Sequence, residues 1–336
     1  MGGNVLKNTV TRRYKRDEYF TLFNNVKDVL YEATLNYDAW LDGFVLIPSY
    51  KSKESFGDMD ILINEKWFKQ DMRIINIYHP TEVFCEKNSN VISFDYHEFQ
   101  IDFIFIPDEY FKTALTYFSY NDLGNLMGRI ANNMGVRYGH DGLKMLYYSD
   151  NKNKVLVEIH LSYDIPKIFK FLGFNYDRFL EGFNDITDIF NYVIDSEFFS
   201  KEIFAYENLN HENRTRNKKR KTYGKFLEYI QELKSDDYVY PNDKTEWLSR
   251  IDEFFPNVKV YEKIEEAKKR EEVNKKIKEK FNGDIVRLIT GLEGEELGKF
   301  IKKFKEFCND FEQYILDTDV KIINENIYDY WECNYD

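Results

Sequence analysis

Ser55-Phe-Gly-Asp-Met-Asp-Ile-Leu-Ile63 and Phe99-Gln-Ile-Asp-Phe-Ile-Phe-Ile106 decide the fold of this chain. Each reads as a buried β-strand, yet each carries acids, which strands rarely tolerate. Asp58 and Asp60 stand two apart, so on a strand they project from one face. Adjacent carboxylates repel, and buried charge is costly unless it is paired or bound to metal. With Asp102 in the second stretch, the pattern is a candidate site for a divalent cation and phosphate chemistry.

Outward from these strands, residues 17–41 have helical spacing, with Phe20, Phe23, Val26, Leu30 and Leu41 on one stripe. Gly43–Pro48 reads as a short strand, followed by a polar loop, the Asp58–Ile63 strand and a helix opening over Glu65–Gln70. Val91–Tyr96 and Phe99–Ile106 read as neighbouring strands with His97 and Glu98 at the turn. After Pro107 the spacing turns helical over Asp108–Tyr117 and Asp122–Asn133. A hairpin is expected from Leu143–Tyr148 and Lys154–Leu161, then several helices over 164–235. The Glu/Lys run at 262–280 fits a solvated connecting helix held by opposite charges at i,i+4, and 284–336 a small helical tail. The expected class is α+β: a small mixed β-sheet core with helices, then a mainly helical C-terminal region. The expected domains are 1–110, a catalytic core; 111–235, helices completing a cleft; and 236–336, a charged helix and tail.

The 336 residues suffice for two or three domains. A net charge of -12 argues against a surface coated for nucleic acid, though not against a local basic groove. Cys85, Cys308 and Cys333 form no Cys-x-x-Cys pair, so neither a disulfide framework nor structural zinc is expected, and a reducing, cytoplasmic setting fits. No apolar run approaches the length of a membrane span, and the N-terminus does not read as a signal peptide.

The order Ser49, polar loop, Gly57, Asp58-x-Asp60, then Asp102 on a later strand resembles the DNA polymerase β nucleotidyltransferase superfamily. The resemblance covers about residues 40–107. Asn125-Leu-Met-Gly-Arg129, Tyr138-Gly-His-Asp-Gly-Leu143 and the segment 209–220 are similar to a group of uncharacterised nucleotidyltransferase-like proteins of bacteriophages and large DNA viruses. The resemblance implies that Asp58, Asp60 and Asp102 are catalytic and hold two Mg²⁺ or Mn²⁺ ions. It implies that Ser49, Lys51, Lys53 and Gly57 bind the phosphates of a nucleoside triphosphate, with Arg129 as a further ligand. Pro48 stands where the superfamily usually has glycine and removes one backbone donor.

Arg214, Arg216, Lys218, Lys219, Arg220 and Lys221 form a basic island in an acidic chain, read as a contact for nucleic-acid phosphates or the nucleotide, or else as a solvated loop or a helix C-terminus with suitable cations. Tyr223 is placed to stack on a base. His140 beside Asp141 reads as a turn histidine rather than a catalytic dyad. The expected activity is transfer of a nucleoside monophosphate from a triphosphate to a hydroxyl, first of all a nucleic-acid 3′ end, with RNA preferred. A protein or small-molecule hydroxyl is an alternative acceptor. A catalytically inactive viral binding or structural module is the alternative of another class.

Overall fold

In the computed structural model, which describes residues 5–34, 42–149, 154–233 and 237–335, the two acid-bearing stretches are parallel neighbours within a five-stranded sheet. The strands are β1 (Tyr14–Lys15), β2 (Phe44–Leu46), β3 (Ser55–Phe56), β4 (Asp58–Asn64), β5 (Val83–Phe84), β6 (Val91–Tyr96) and β7 (Phe99–Ile106). The sheet order is β2-β4-β7-β6-β5, with only β4 and β7 parallel, while β1 pairs with β3 apart from it. His97 and Glu98 make the β6–β7 turn with φ of 50° and 57°, the left-handed pair that a two-residue hairpin requires.

All of β7 is buried, as befits a strand covered on both faces. Odd-numbered residues (Met59, Ile61, Ile63, Ile101, Phe103, Phe105) pack into one core with helix α1 (Arg16–Thr34) and Ile75 of α2 (Met72–Asn76). On the other face, Leu62, Ile104 and Ile106 lie against Ala114 and Leu115 of α3 (Phe111–Phe118). Toward the N-terminal ends of β4 and β7, that same even-numbered face carries Asp58, Asp60, Gln100 and Asp102.

Two local expectations need correcting. The α1 stripe is Tyr19, Leu22, Val26 and Leu30, with Phe23 packed partly buried against it. Phe20 sits about 100° around the helix from Tyr19 and stays 37% exposed; residues 35–41 lie outside the described residues. Glu65–Gln70 opens no helix. The Asn64 side chain accepts from the Lys66 amide at 2.9 Å and donates to Asp108 at 2.8 Å, holding a turn in place of a helical start. The helix begins at Met72 instead, capped by Asp71.

The chain clusters into two compact units, Met1–Leu146 with Glu158–Val258, and Tyr147–Val157 with Lys259–Asp336. The helices after the sheet therefore belong with it, and the later boundary falls at Val258/Lys259. In the first unit α4 (Leu123–Asn133) follows α3 closely; a Cβ at Gly124 would lie 2.1 Å from the Tyr117 carbonyl oxygen, so only glycine fits. Strands β8 (Val136–Gly139), β9 (Gly142–Tyr148) and β10 (Val155–Ser162) form a three-stranded sheet, of which Tyr147–Tyr148 and Val155–Val157 are counted with the second unit. Then come α5 (Ile165–Phe171), α6 (Tyr176–Leu180), α7 (Ile186–Ile194), α8 (His211–Lys218), α9 (Lys221–Gln231) and α10 (Leu248–Phe254). The α8–α9 corner is anchored by a hydrogen bond from Asn125 to buried Asn217 at 3.1 Å, by the Arg220–Asp122 ion pair and by Tyr223, whose hydroxyl donates to the Phe204 carbonyl at 2.6 Å.

In the second unit, α11 (Val260–Lys280) is mostly exposed, in line with its Glu/Lys pattern, and buries Val260, Ile264 and Ile277. Helices α12 (Gly283–Thr290), α13 (Gly294–Phe307), α14 (Phe311–Asp317) and α15 (Val320–Tyr335) share a core of Val286, Phe300, Phe304, Ile315, Ile323 and Ile327. Among the described residues, no helix is long and apolar enough to cross a membrane.

Candidate metal centre

Strand register brings the acids together. Asp60 is the partner of Asp102 across β4–β7, and Asp102 is the partner of Ser93 across β7–β6, so the three stand in one row on one face. Asp58, two residues before Asp60, lies opposite Gln100. Each of Asp58, Asp60 and Asp102 offers a carboxylate oxygen within 4.8 Å of the others. Gln100 is buried and donates its side-chain amide to both oxygens of Asp102, at 2.9 and 3.1 Å, while its own carbonyl oxygen accepts from the Val5 amide at 3.1 Å. The Ser93 hydroxyl donates to the same carboxylate.

This crowding has an electrostatic cost. Burial, then the charges of Asp58 and Asp102, push the Asp60 carboxyl well above the usual carboxylate range. Burial, followed by the charge of Asp58, pushes Asp102 up to about 6, against the stabilising bonds from Ser93 and Gln100. Burial lowers the Lys53 ammonium, an effect opposed by Asp58 and Asp60. One desolvated lysine does not balance three gathered acids. The donors are hard oxygens, the set that takes Mg²⁺, Mn²⁺ or Ca²⁺ rather than a soft metal. The residues present therefore fit a hard divalent cation.

The acids open into a cleft of roughly 1570 Å³. Ser49, Lys53, Gly57, Asp58 and Asp60 line it, with Pro48 in its wall; Asp102 stands behind them at 9% exposure. The loop after Pro48 is tied down: the Lys51 and Ser52 amides donate to the Phe183 and Asn184 carbonyls at 2.8 and 2.7 Å, and the Lys53 amide to Tyr50 at 3.2 Å. These three amides are thus committed within the fold, which leaves the Ser49–Tyr50 end of the loop and the Ser49 hydroxyl for a ligand. The Lys51 side chain is not part of the cleft lining.

Several sequence expectations land elsewhere. Arg129 is 7% exposed and gives its guanidinium to the Ile203 carbonyl at 3.1 and 3.4 Å, away from the cleft lining. It is a buried anchor between α4 and the Lys201–Phe204 turn. Tyr223 is fully buried, so its ring offers no face to a base. Of the basic island, Arg216, Lys219, Arg220 and Lys221 line the cleft. Arg214 instead caps the carbonyls of Tyr206, Glu207 and Leu209 at 2.9, 3.3 and 2.7 Å, and Lys218 lies over the Tyr206 ring. His140 sits in the β8–β9 turn and stacks on Phe118, while the Asp141 carboxylate pairs with Lys144 at 2.6 Å and Arg137 at 3.4 Å. No His–Asp dyad forms there.

Sequence reading missed Arg12, Arg13, Tyr19 and Lys225, which also line the cleft. Lys225 was within reach, being one helical turn beyond Lys221. Arg12 and Arg13 are brought in by the short β1–β3 ladder, Tyr14 opposite Phe56 and Lys15 opposite Ser55, with Arg13 donating to Ser55 at 2.8 and 2.9 Å. A two-residue strand leaves no periodic mark in a sequence. No protein-family model matches the chain, and a search of curated proteins finds no match.

Proposed function

We propose that this protein is a metal-dependent nucleotidyltransferase, moving a nucleoside monophosphate from a nucleoside triphosphate to a hydroxyl acceptor. The observation that carries the reading is the convergence of Asp58, Asp60 and Asp102 within 4.8 Å at an open cleft. The resemblance of the Ser49–Asp60 and Asp102 pattern to the polymerase β superfamily supports it.

In this reading Asp58, Asp60 and Asp102 would hold two Mg²⁺ or Mn²⁺ ions. Such ions, when bound, neutralise phosphate oxygens and make a hydroxyl more acidic. Ser49 and the start of its loop hold the terminal phosphates, with Lys53 as a counter-charge. The acceptor oxygen forms a bond to the α-phosphorus as the bond to the β-phosphate oxygen breaks, and pyrophosphate leaves. The acceptor proton passes to Asp102, the carboxylate that shares a row with Asp60. Gln100 and Ser93 keep that carboxylate aimed along the row. The described cysteines are free thiols, and we place the chain in a reducing cytoplasm, that of the host if it is viral.

The test is incubation with each α-labelled nucleoside triphosphate, Mg²⁺ or Mn²⁺, and pooled RNA, DNA and protein acceptors. Label should move to an acceptor with the native chain and stay on the triphosphate with Asp58→Ala/Asp60→Ala. Equal incorporation by both would remove these acids from the chemistry.

A further inference from the structure

We infer that the α8–α9 corner is the seat of a single-stranded nucleic acid, so that the acceptor is a polyanionic strand and neither a protein nor a small-molecule hydroxyl. The inference rests on the nucleotidyltransferase reading and supplies its acceptor class.

Arg216, Lys219, Lys221 and Lys225 are exposed and line the same cleft as Asp58 and Asp60. Among the described residues none of the four is ion-paired, whereas their neighbour Arg220 is committed to Asp122. In a chain of net charge -12, unpaired cations collected on one wall set up a local field that repels protons and attracts phosphate. Arg216 and Lys218 in the last turn of α8 offset the negative end of that helix, while at the start of α9 helix polarity adds to the field. The first turn of α9 holds no acid, and no side chain caps its N-terminus, whereas helices usually place acids there to offset the positive end of the dipole. Lys221 therefore adds positive charge to positive charge. Such an arrangement is relieved by an anion brought from outside.

Extent separates a strand from a smaller ligand. The cleft, at roughly 1570 Å³, exceeds the range of about 300–1,000 Å³ usual for one small molecule. The donor triphosphate has its own cation in Lys53 and its own loop at Ser49. Cations on two helices are more than one further phosphate needs. A run of phosphodiesters meets all four, and its terminal hydroxyl would reach the acids on the cleft floor.

The probe is a 5′-fluorescein uridylate dodecamer, titrated with the full chain from 50 to 200 mM salt and read by anisotropy. Single strands lose about 0.7 in log K per log salt for each phosphate neutralised. The native chain should show a slope of about −2 to −3. Lys219→Ala/Lys221→Ala should weaken binding on the order of tenfold at 100 mM salt and flatten the slope by about 1.4. Both side chains are exposed, and an unchanged melting curve confirms that the variant folds. Lys299→Ala/Lys302→Ala, exposed on α13, should leave affinity and slope unchanged. Asp58→Asn/Asp60→Asn should still bind the dodecamer. Wall-dependent binding without any label transfer would support the strand seat and reject the chemistry. Label transfer to a protein or small molecule, with no dodecamer binding or with binding indifferent to Lys219 and Lys221, would overturn the strand seat alone.

Discussion

The acid centre and the basic wall face one cleft and are built by opposite means. Asp58, Asp60 and Asp102 are fixed by strand register, partly or wholly buried, and close enough to disturb one another's ionisation. Arg216, Lys221 and Lys225 stand on helix surfaces and Lys219 in the turn between the helices, all in solvent. A buried, crowded carboxylate interacts strongly at short range, while an exposed lysine acts weakly, over a Debye length, and is screened by salt. Changes at the centre should therefore be close to all-or-none, and changes at the wall graded and salt-dependent. The largest expected effect is at the centre: Asp58→Ala/Asp60→Ala should abolish label transfer and also remove any Mg²⁺-induced rise in melting temperature. A variant that still gains stability from Mg²⁺ would place the metal elsewhere and break the contrast.

The next effect concerns stability and has a definite sign. Asp102 is held near 6 in the fold, above the value of about 3.9 it has in an unfolded chain. A carboxyl raised on folding favours the native state while it is protonated. That contribution is complete below about pH 4 and is lost as pH rises through about 6. Its size is about 2–3 kcal/mol. Asp102→Asn should therefore stabilise the metal-free protein above pH 6 and flatten its stability between pH 4 and 6. Mg²⁺ should recover stability in the native chain above pH 6 and not in the variant. Chemical denaturation with and without EDTA measures both. A metal-free variant less stable than the native chain at pH 8 would contradict the crowding argument.

Gln100 tests whether the centre depends on its support. Losing a group that orients a metal ligand commonly costs about 10–100-fold in affinity or activity. Gln100→Ala should weaken Mg²⁺ binding in that range, because Asp102 loses two hydrogen bonds. Gln100→Glu should do at least as badly, since it places another carboxyl against Asp102. Isothermal titration with Mn²⁺ reads the change; an unaltered affinity would mean that Ser93 alone sets the carboxylate.

How much of this was legible beforehand follows the same division. The β4, β6 and β7 strands and the acid triad were readable because short apolar runs bounded by turn residues mark buried strands, and residues two apart on a strand share a face. The cleft wall was legible as composition, but its geometry was not. Arg214 and Arg216 differ in the sequence only by position, yet one caps carbonyls and the other lines the cleft. Arg129 and Tyr223 looked like ligands because polar side chains draw attention; their backbone acceptors, at Ile203 and Phe204, lie in a short irregular segment with no pattern to announce it. Arg12 and Arg13 depend on a ladder too short to have a period.

The smallest expected effect separates two lysines that the sequence could not tell apart. Lys51 and Lys53 flank one residue, and the resemblance places both at the phosphates. The structure turns Lys53 into the cleft, its ammonium 4.6 Å from the Phe56 ring centre and within the field of Asp58 and Asp60. Lys51 contributes its backbone amide to Phe183, and its side chain is not in the lining. Alanine at 51 keeps that amide, so the loop should keep its course. Lys51→Ala should change the KM for nucleoside triphosphate by less than about twofold, in line with other exposed substitutions within about 0.5 kcal/mol. Lys53→Ala should raise it by on the order of tenfold, the loss of one charge-assisted contact of about 1.5 kcal/mol. Equal effects from the two would show that the loop moves on binding and that the acid centre, for all its rigidity, takes its donor from a mobile lip.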